Sequence, residues 1–287
     1  MINKEKNKPD FIIIGSMKCG TTTLYSDLSQ LQSLYMPSEK EPAILTKFSD
    51  QDKIKSEYSR HFKGAADNQL CGEASTDYTK LPIFEGVVDK AYQLCGNNLK
   101  LIMIMRDPIE RIYSHLKHDI AGGLISADEI DRVVLENAEY LAISDYAKQL
   151  LPWISRFGIE NLLCVSFSDL KKHRIEVIND VAKFLGVKID RSIDIEAVQN
   201  KGTELRRTGR LASLVVNSLV YRQYIRPFIS DSVRVRLRKM VLRKVAVPDI
   251  KLSKQTEDVL RQKLSNVEAD VESLIGKRIK INEFKKN

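Results

Sequence analysis

Apolar residues in this chain fall into short unbroken runs separated by longer stretches with helical spacing. Phe11-Ile-Ile-Ile14 is a continuous β-branched and aromatic run ending at Gly15. A run with no polar alternation has no solvent-facing side, which predicts a strand buried on both faces, followed by a turn and a helix from about Thr21 to Leu31. Leu99-Lys-Leu-Ile-Met-Ile-Met105 repeats the pattern and ends at Arg106-Asp107-Pro108, where Pro108 suits the first turn of another helix. A third apolar strand is predicted at Leu162 to Phe167, and shorter ones near Leu34 to Met36 and Leu70 to Gly72. Helical stretches separate all of them. The expected class is therefore α/β, with a central parallel sheet flanked by helices on both faces.

The pattern changes in the last third. Between Arg206 and Lys244 arginine and lysine become dense among Leu, Val and Ile, as in Val233-Arg-Val-Arg-Leu-Arg-Lys239, and residues 206–250 are expected to be a basic helical segment. From Ser253 to Ile275 the positions Val259, Leu260, Leu264, Val267, Val271 and Leu274 keep helical spacing, which predicts one packed C-terminal helix. With 287 residues, 43% of them hydrophobic, the chain can bury a full core. One domain spanning 1–287 is expected, with residues 1–9 as a flexible N-terminus.

Charge widens the choice of partners without deciding it. Forty-six Lys and Arg against 38 Asp and Glu give a net charge of +8. That suits nucleic acid, anionic lipid, nucleotides or acidic glycans alike. The four cysteines, Cys19, Cys71, Cys95 and Cys164, show neither a CxxC pair nor metal-ligand spacing, so no disulfide framework or metal site is expected. The lysine-rich start and the short apolar run after it lack the form of a signal peptide or membrane span, so the expected location is cytoplasmic. The basic segment could touch a membrane surface peripherally. Nothing in the sequence indicates an oligomeric state.

The chemistry concentrates where the first two strands end. Gly15-Ser-Met-Lys-Cys-Gly-Thr-Thr-Thr23 has the spacing of a phosphate loop, but Thr21 stands where a nucleotide triphosphatase carries lysine, and the lysine lies inside the loop as Lys18. A strand-to-helix loop still aims backbone N–H groups and a positive helix end at an anion. No acidic residue at a strand end is placed to hold Mg²⁺. A transferring sulfuryl group carries less negative charge than a phosphoryl group, so lysine and backbone donors can serve it without a metal. Arg106 offers a fixed fork of donors at the end of the second strand, and Ser114 lies on the helix beyond it.

Together, the loop Gly15 to Thr23 and Arg106-Asp-Pro-Ile-Glu-Arg-Ile-Tyr-Ser114 resemble the paired signature of the sulfotransferases that use 3′-phosphoadenosine 5′-phosphosulfate (PAPS) and release adenosine 3′,5′-bisphosphate (PAP). The resemblance runs from Phe11 to about Ile275, is nearest to bacterial-type and glycan-directed members, and implies a three-layer P-loop-like fold. It implies that Lys18, Cys19, Gly20, Thr21, Thr22 and Thr23 hold the 5′-phosphosulfate, with Lys18 also catalytic, and that Arg106 and Ser114 hold the 3′-phosphate. Glu41, in Glu39-Lys-Glu-Pro-Ala-Ile-Leu45, occupies the place of a catalytic glutamate base. Lys201, Gly202 and Arg207 fall in a late cationic loop that closes over the phosphates.

The chain departs from the glycan-directed pattern at Ala74, in Gly72-Glu-Ala-Ser-Thr-Asp-Tyr78, where those members often carry lysine. Ser144-Asp-Tyr146, with Trp153 and Phe157 beyond it, resembles a further family stretch near the nucleotide. The implied reaction moves a sulfuryl group to a hydroxyl or amine of a carbohydrate or other small-molecule acceptor, with no metal and no nucleic-acid partner. Two alternatives from other classes are a P-loop nucleotide kinase and a non-enzymatic module binding anions or a membrane surface.

Overall fold

The structure is a computed structural model; it describes residues 6–189, the strands 204–208 and 242–246 as backbone, and residues 249–281. Five strands, β1 (Phe11–Gly15), β2 (Leu34–Tyr35), β3 (Leu70–Ala74), β4 (Lys100–Met105) and β5 (Leu162–Ser166), form one parallel sheet in the order β2-β3-β1-β4-β5. Every residue of β1 is buried, as is all of β4 after Lys100. Strands covered on both faces have no reason to alternate, which is why both read as apolar runs.

Parallel pairing requires each strand to be followed by a crossover, and helices supply it. The helix α1 (Thr21–Leu28) leads from β1 to β2; α2 (Ile44–Lys47) and α3 (Gln51–His61) precede β3; α4 (Val87–Cys95) leads to β4. The longest crossover, α5 (Pro108–Gly122), α6 (Ile130–Glu136), α7 (Glu139–Ala142) and α8 (Tyr146–Phe157), leads to β5, which α9 (Phe167–Lys172) and α10 (Arg174–Leu185) follow. One layer joins α1 to α10, where Arg174 Nε donates 2.8 Å to the buried Asp27 carboxylate. In the other, α4 packs on α3 and α8, and Trp153 stacks on Phe157 in the core at 5.8 Å between centroids. Among the described residues no helix is long and apolar enough to cross a membrane.

Four expectations need correction. Helix α1 stops at Leu28 rather than Leu31, and β3 runs on to Ala74, its polar Glu73 being buried. The C-terminal helix is two, α11 (Lys254–Lys263) and α12 (Val267–Ile275), broken at Ser265 and Asn266, residues whose side chains favour turns over helix interiors. The two described ends of the basic segment are not helical. Strands β6 (Glu204–Thr208) and β7 (Leu242–Ala246) pair antiparallel, from Glu204 opposite Ala246 to Thr208 opposite Leu242. Pairing between residues some forty apart overrides the local pattern. Residues 209–241, which carry most of the expected helices, lie outside the described residues.

Helix α5 carries a polar knot into the core. Arg111 is fully buried and donates from Nε to Ser144 Oγ at 2.6 Å and from Nη2 to the Tyr140 carbonyl at 2.8 Å. Its Nη1 lies 3.4 Å from His115 Nδ1. Arginine only donates, so His115 Nδ1 accepts and the ring proton sits on Nε2, 3.4 Å from the Asp119 carboxylate that also receives the Tyr140 hydroxyl at 2.6 Å. Burial, reinforced by Arg111, pushes the His115 imidazole down to about 3.

Two stability measurements check this packing. At Gly72 an added Cβ would lie 2.1 Å from the ring of Phe11, its partner in β1. Gly72→Ala is therefore expected to destabilise the fold by about 1–3 kcal/mol in denaturant titrations. His115 stays neutral in the native state where the unfolded chain takes up a proton, so its burial costs stability as the pH falls from 6.5 toward 3. Relative to wild type, His115→Asn should therefore recover on the order of 2 kcal/mol between pH 7 and pH 4.5. Parallel pH dependences of the two proteins would contradict a buried neutral ring.

Candidate active site

The strand order places a crevice at one point of the sheet. The crossover from β1 leads toward β2 and that from β4 toward β5, so chain paths diverge at the carboxyl ends of these two adjacent strands, where open parallel sheets bind ligands. There the two candidate motifs meet. Ser16 N–H donates to the Ile104 carbonyl at 2.8 Å, and Arg106 Nη1 lies 3.4 Å from the Lys18 carbonyl. The Arg106 guanidinium sits 4.8 Å above the Phe167 ring, and Tyr146 holds the Arg106 carbonyl with its hydroxyl at 2.9 Å. Two glycines permit this closeness. A Cβ on Gly15 would lie 2.1 Å from Thr79 Oγ1, and one on Gly20, whose φ is +90°, would lie 2.9 Å from Phe167.

The loop is built to receive negative charge. Gly20 is the N-cap of α1 and supplies no side chain to it, and the first turn carries no acid. The N–H groups of Gly20, Thr21 and Thr22 therefore have no acceptor among the described residues. Lys18 has a left-handed backbone, φ 68°, and its half-buried ammonium takes no partner among the described residues. Burial lowers its pKa; Asp119 opposes this, while Arg106 and Arg111 add to it. Cys19 is fully buried, its sulfur 3.7 Å from the Tyr146 hydroxyl, and burial pushes the thiol up, which leaves it an inert packing residue. Thr21 is buried, Thr23 half-buried and Thr22 exposed.

Glu41 approaches the loop from the side, on a turn whose backbone is left-handed at Glu41 (φ 59°) and Ala43 (φ 52°). Its carboxylate accepts from the Thr76 N–H at 2.7 Å and pairs with Lys40, which itself reaches Thr21 Oγ1 at 3.4 Å. A continuous polar path thus runs from the carboxylate through Lys40 to the first threonine of α1. Such a carboxylate, part-exposed beside a cationic loop, can accept a proton from a nucleophile brought against a bound anion.

Other sequence candidates fall differently. Ser114 is half-buried on α5, six residues past its start. Lys201 and Gly202 lie outside the described residues. Arg207 is described as backbone only, in β6 opposite Arg243, with β6 lying against α5. Beyond Ala74, Lys80 pairs with Asp77 at 2.6 Å. Asp107 caps α5, its carboxylate accepting the Ile109 and Glu110 N–H groups at 2.9 and 3.0 Å. Among the described residues no cluster of three metal-ligating side chains occurs.

The sequence reading missed Lys40, Thr76 and Arg111. Lys40 adjoins Glu41 in the chain and could have been found from that neighbour; Thr76 and Arg111 gave no local signal.

Residues 8–202 match the family model of the sulfotransferase domain. Among curated proteins, the chain is 25% identical over 198 residues to the bifunctional heparan sulfate N-deacetylase/N-sulfotransferase 1 of Caenorhabditis elegans, an alignment covering 63% of this chain. It is 26% identical over 202 residues to the protein of the same name from Caenorhabditis briggsae. The chain spans only 22% and 23% of the lengths of these relatives. Among solved structures, a sulfotransferase from Alicyclobacillus acidocaldarius superposes with a TM-score of 0.65 at 19% identity, covering 95% of this chain and 97% of that one, a likeness of fold. With the family model spanning most of its length, the chain belongs to the sulfotransferase domain family.

Proposed function

We propose that this protein transfers the sulfuryl group of PAPS to a hydroxyl or amine of a carbohydrate acceptor, releasing PAP, with the whole chain acting as one sulfotransferase domain. The carrying observation is the meeting of two anion-receiving strand ends in one crevice, Ser16 bonded to Ile104 and Arg106 to Lys18. The donor supplies the electrophilic sulfur and a bisphosphate leaving group. The loop from Lys18 to Thr23 receives the phosphosulfate, while Arg106 and Ser114, together with Lys201, Gly202 and Arg207, receive the 3′-phosphate. No metal is required. The relatives' names, which contain heparan sulfate N-sulfotransferase, favour a glycan acceptor.

Glu41 is the base. It takes the proton of the acceptor hydroxyl or amine as that atom bonds to sulfur, and the bond from sulfur to the phosphate oxygen breaks with its electron pair leaving on that oxygen. Lys18 and the N–H groups at the start of α1 stabilise the charge gathering there. Lys40 holds the carboxylate beside the loop.

Calorimetry tests the ligand class first. PAP is expected to bind without Mg²⁺ and ATP with Mg²⁺ to bind far more weakly; the reverse order would restore the kinase alternative. In a sulfate-transfer assay over a panel of glycan acceptors, Glu41→Gln should retain PAP binding and lose at least ~10²-fold in kcat, and Lys18→Ala should lose a similar factor. Arg106→Ala should mainly raise the KM for PAPS. Wild-type turnover in Glu41→Gln would move the base elsewhere.

Proton linkage gives an independent check. An anion in the loop favours the charged lysine, so PAP binding should draw a proton onto Lys18 when the pH exceeds its lowered pKa, and affinity should weaken as the pH rises through it. Calorimetry in buffers of different ionisation enthalpy should show this uptake, and Lys18→Met should lack it.

A further inference from the structure

The turn bearing Glu41 is held by a set of contacts, two of which lead to one buried carboxyl group. Glu41 N–H donates to the Ala74 carbonyl at 3.0 Å, Ala43 N–H to Ser75 Oγ at 3.0 Å, and Leu45 N–H to the Tyr78 hydroxyl at 3.2 Å. The last two acceptors are hydroxyls, which can either donate or accept. Their direction is set beneath them by Glu73, fully buried in β3, whose Oε2 accepts from Ser75 at 2.7 Å and whose Oε1 accepts from Tyr78 at 2.9 Å and from Tyr58 of α3. Each hydroxyl has a single proton. Ser75 and Tyr78 commit theirs to Glu73, so only lone pairs are left to face the amides of the left-handed turn.

We propose that Glu73 is a positioning residue for Glu41: an acceptor carboxylate that orients the Ser75 and Tyr78 hydroxyls so that they fasten the turn at Ala43 and Leu45. This rests on Glu41 being the base. A residue that merely filled the space would serve equally as the amide. Glutamine at 73 has the same shape but offers N–H₂ on one side. Either Ser75 or the tyrosine pair must then accept from that N–H₂, and the hydroxyl proton it no longer gives to residue 73 competes for the lone pairs facing the turn, so at least one of the two fastenings is weakened. Burial raises the Glu73 carboxyl, while the hydroxyls of Tyr58, Ser75 and Tyr78 act in the opposite direction and nearby Glu41 raises it further.

Glu73→Gln, Glu41→Gln and wild type are compared by hydrogen exchange of the peptide 39–48, by PAP calorimetry, and by transfer from PAPS to the acceptor most active in the glycan panel. For Glu73→Gln the expected results are at least tenfold faster exchange across 39–48, unchanged exchange in 16–23, PAP affinity and PAPS KM within twofold of wild type, and kcat lowered at least tenfold. Native exchange across 39–48 would overturn the proposal, as would native kcat in a protein whose Glu41→Gln variant is inactive. If instead Glu41→Gln stays active, the base assignment fails, and exchange alone judges whether Glu73 holds the turn. Should Glu73→Gln not fold, Tyr78→Phe and Tyr58→Phe decide. The first loses the hydroxyl that meets Leu45 and should reproduce the faster exchange; the second loses one that never touches the turn and should not. Equal behaviour of these two would overturn the proposal.

Discussion

Everything functional in this molecule depends on β1 and β4 being hydrogen-bonded neighbours whose chain paths diverge at their carboxyl ends. Ser16 N–H on the Ile104 carbonyl continues the sheet pairing one residue past β1, and the Arg106 contact to the Lys18 carbonyl carries it into the loop. With α1 beginning at Thr21, the backbone must turn within five residues, and it does so with left-handed conformations at Lys18 and Gly20. Such a turn satisfies few of its own N–H groups: Cys19 reaches the Ser16 carbonyl at 3.1 Å, while Gly20, Thr21 and Thr22 find no acceptor among the described residues. The open donors are thus a geometric consequence of ending a buried strand and starting a helix almost at once.

Strain follows from the same compactness. Left-handed backbone at a non-glycine residue costs roughly 1–3 kcal/mol in a functional site and persists only where surrounding contacts over-determine it. Lys18, Glu41 and Ala43 are the described non-glycine residues with positive φ, and all lie on the two segments that meet at Thr21 and Lys40. Around Glu41 the over-determination is visible as five hydrogen bonds with residues 74–78, three donated by backbone amides of the turn and two that the carboxylate accepts from the N–H and hydroxyl of Thr76. Around Lys18 it comes from Arg106 and from Cys19, a small apolar residue buried under Tyr146.

The sheet's centre was legible because β1 and β4 are buried on both faces, and a short unbroken apolar run between turn residues suits a doubly covered strand better than any amphipathic element. The two motifs were legible for the same reason, since each begins where such a run ends. β3 was cut short because Glu73 breaks its apolar pattern, although in the structure that carboxyl is as buried as the isoleucines of β1. The C-terminal helix kept its periodicity across a break at Ser265 and Asn266 that preserves the same buried face, so spacing alone could not show two helices. Thr76 and Tyr78 meet the Glu41 turn across more than thirty residues, and no local pattern encodes a partner at that distance.

The electrostatics of the crevice turn on how its cations are, and are not, neutralised. Arg106 keeps an exposed carboxylate, Glu110, at 3.2 Å, where water weakens the pairing. Arg111, fully buried, faces a hydroxyl, a carbonyl and a neutral imidazole, acceptors that satisfy its donors without cancelling its charge. Burying a charge in that way is unfavourable compared with an ion pair, and burial indeed lowers its pKa. Its field, with that of Arg106, lowers the Lys18 pKa in the same direction as burial does, and Asp119 opposes them. The Arg111 guanidinium thus acts on a lysine that, like the row of amides beside it, takes no partner among the described residues. The neutral state of His115 belongs to that arrangement: a second buried cation beside Arg111 would repel it, and a carboxylate in its place would neutralise the guanidinium.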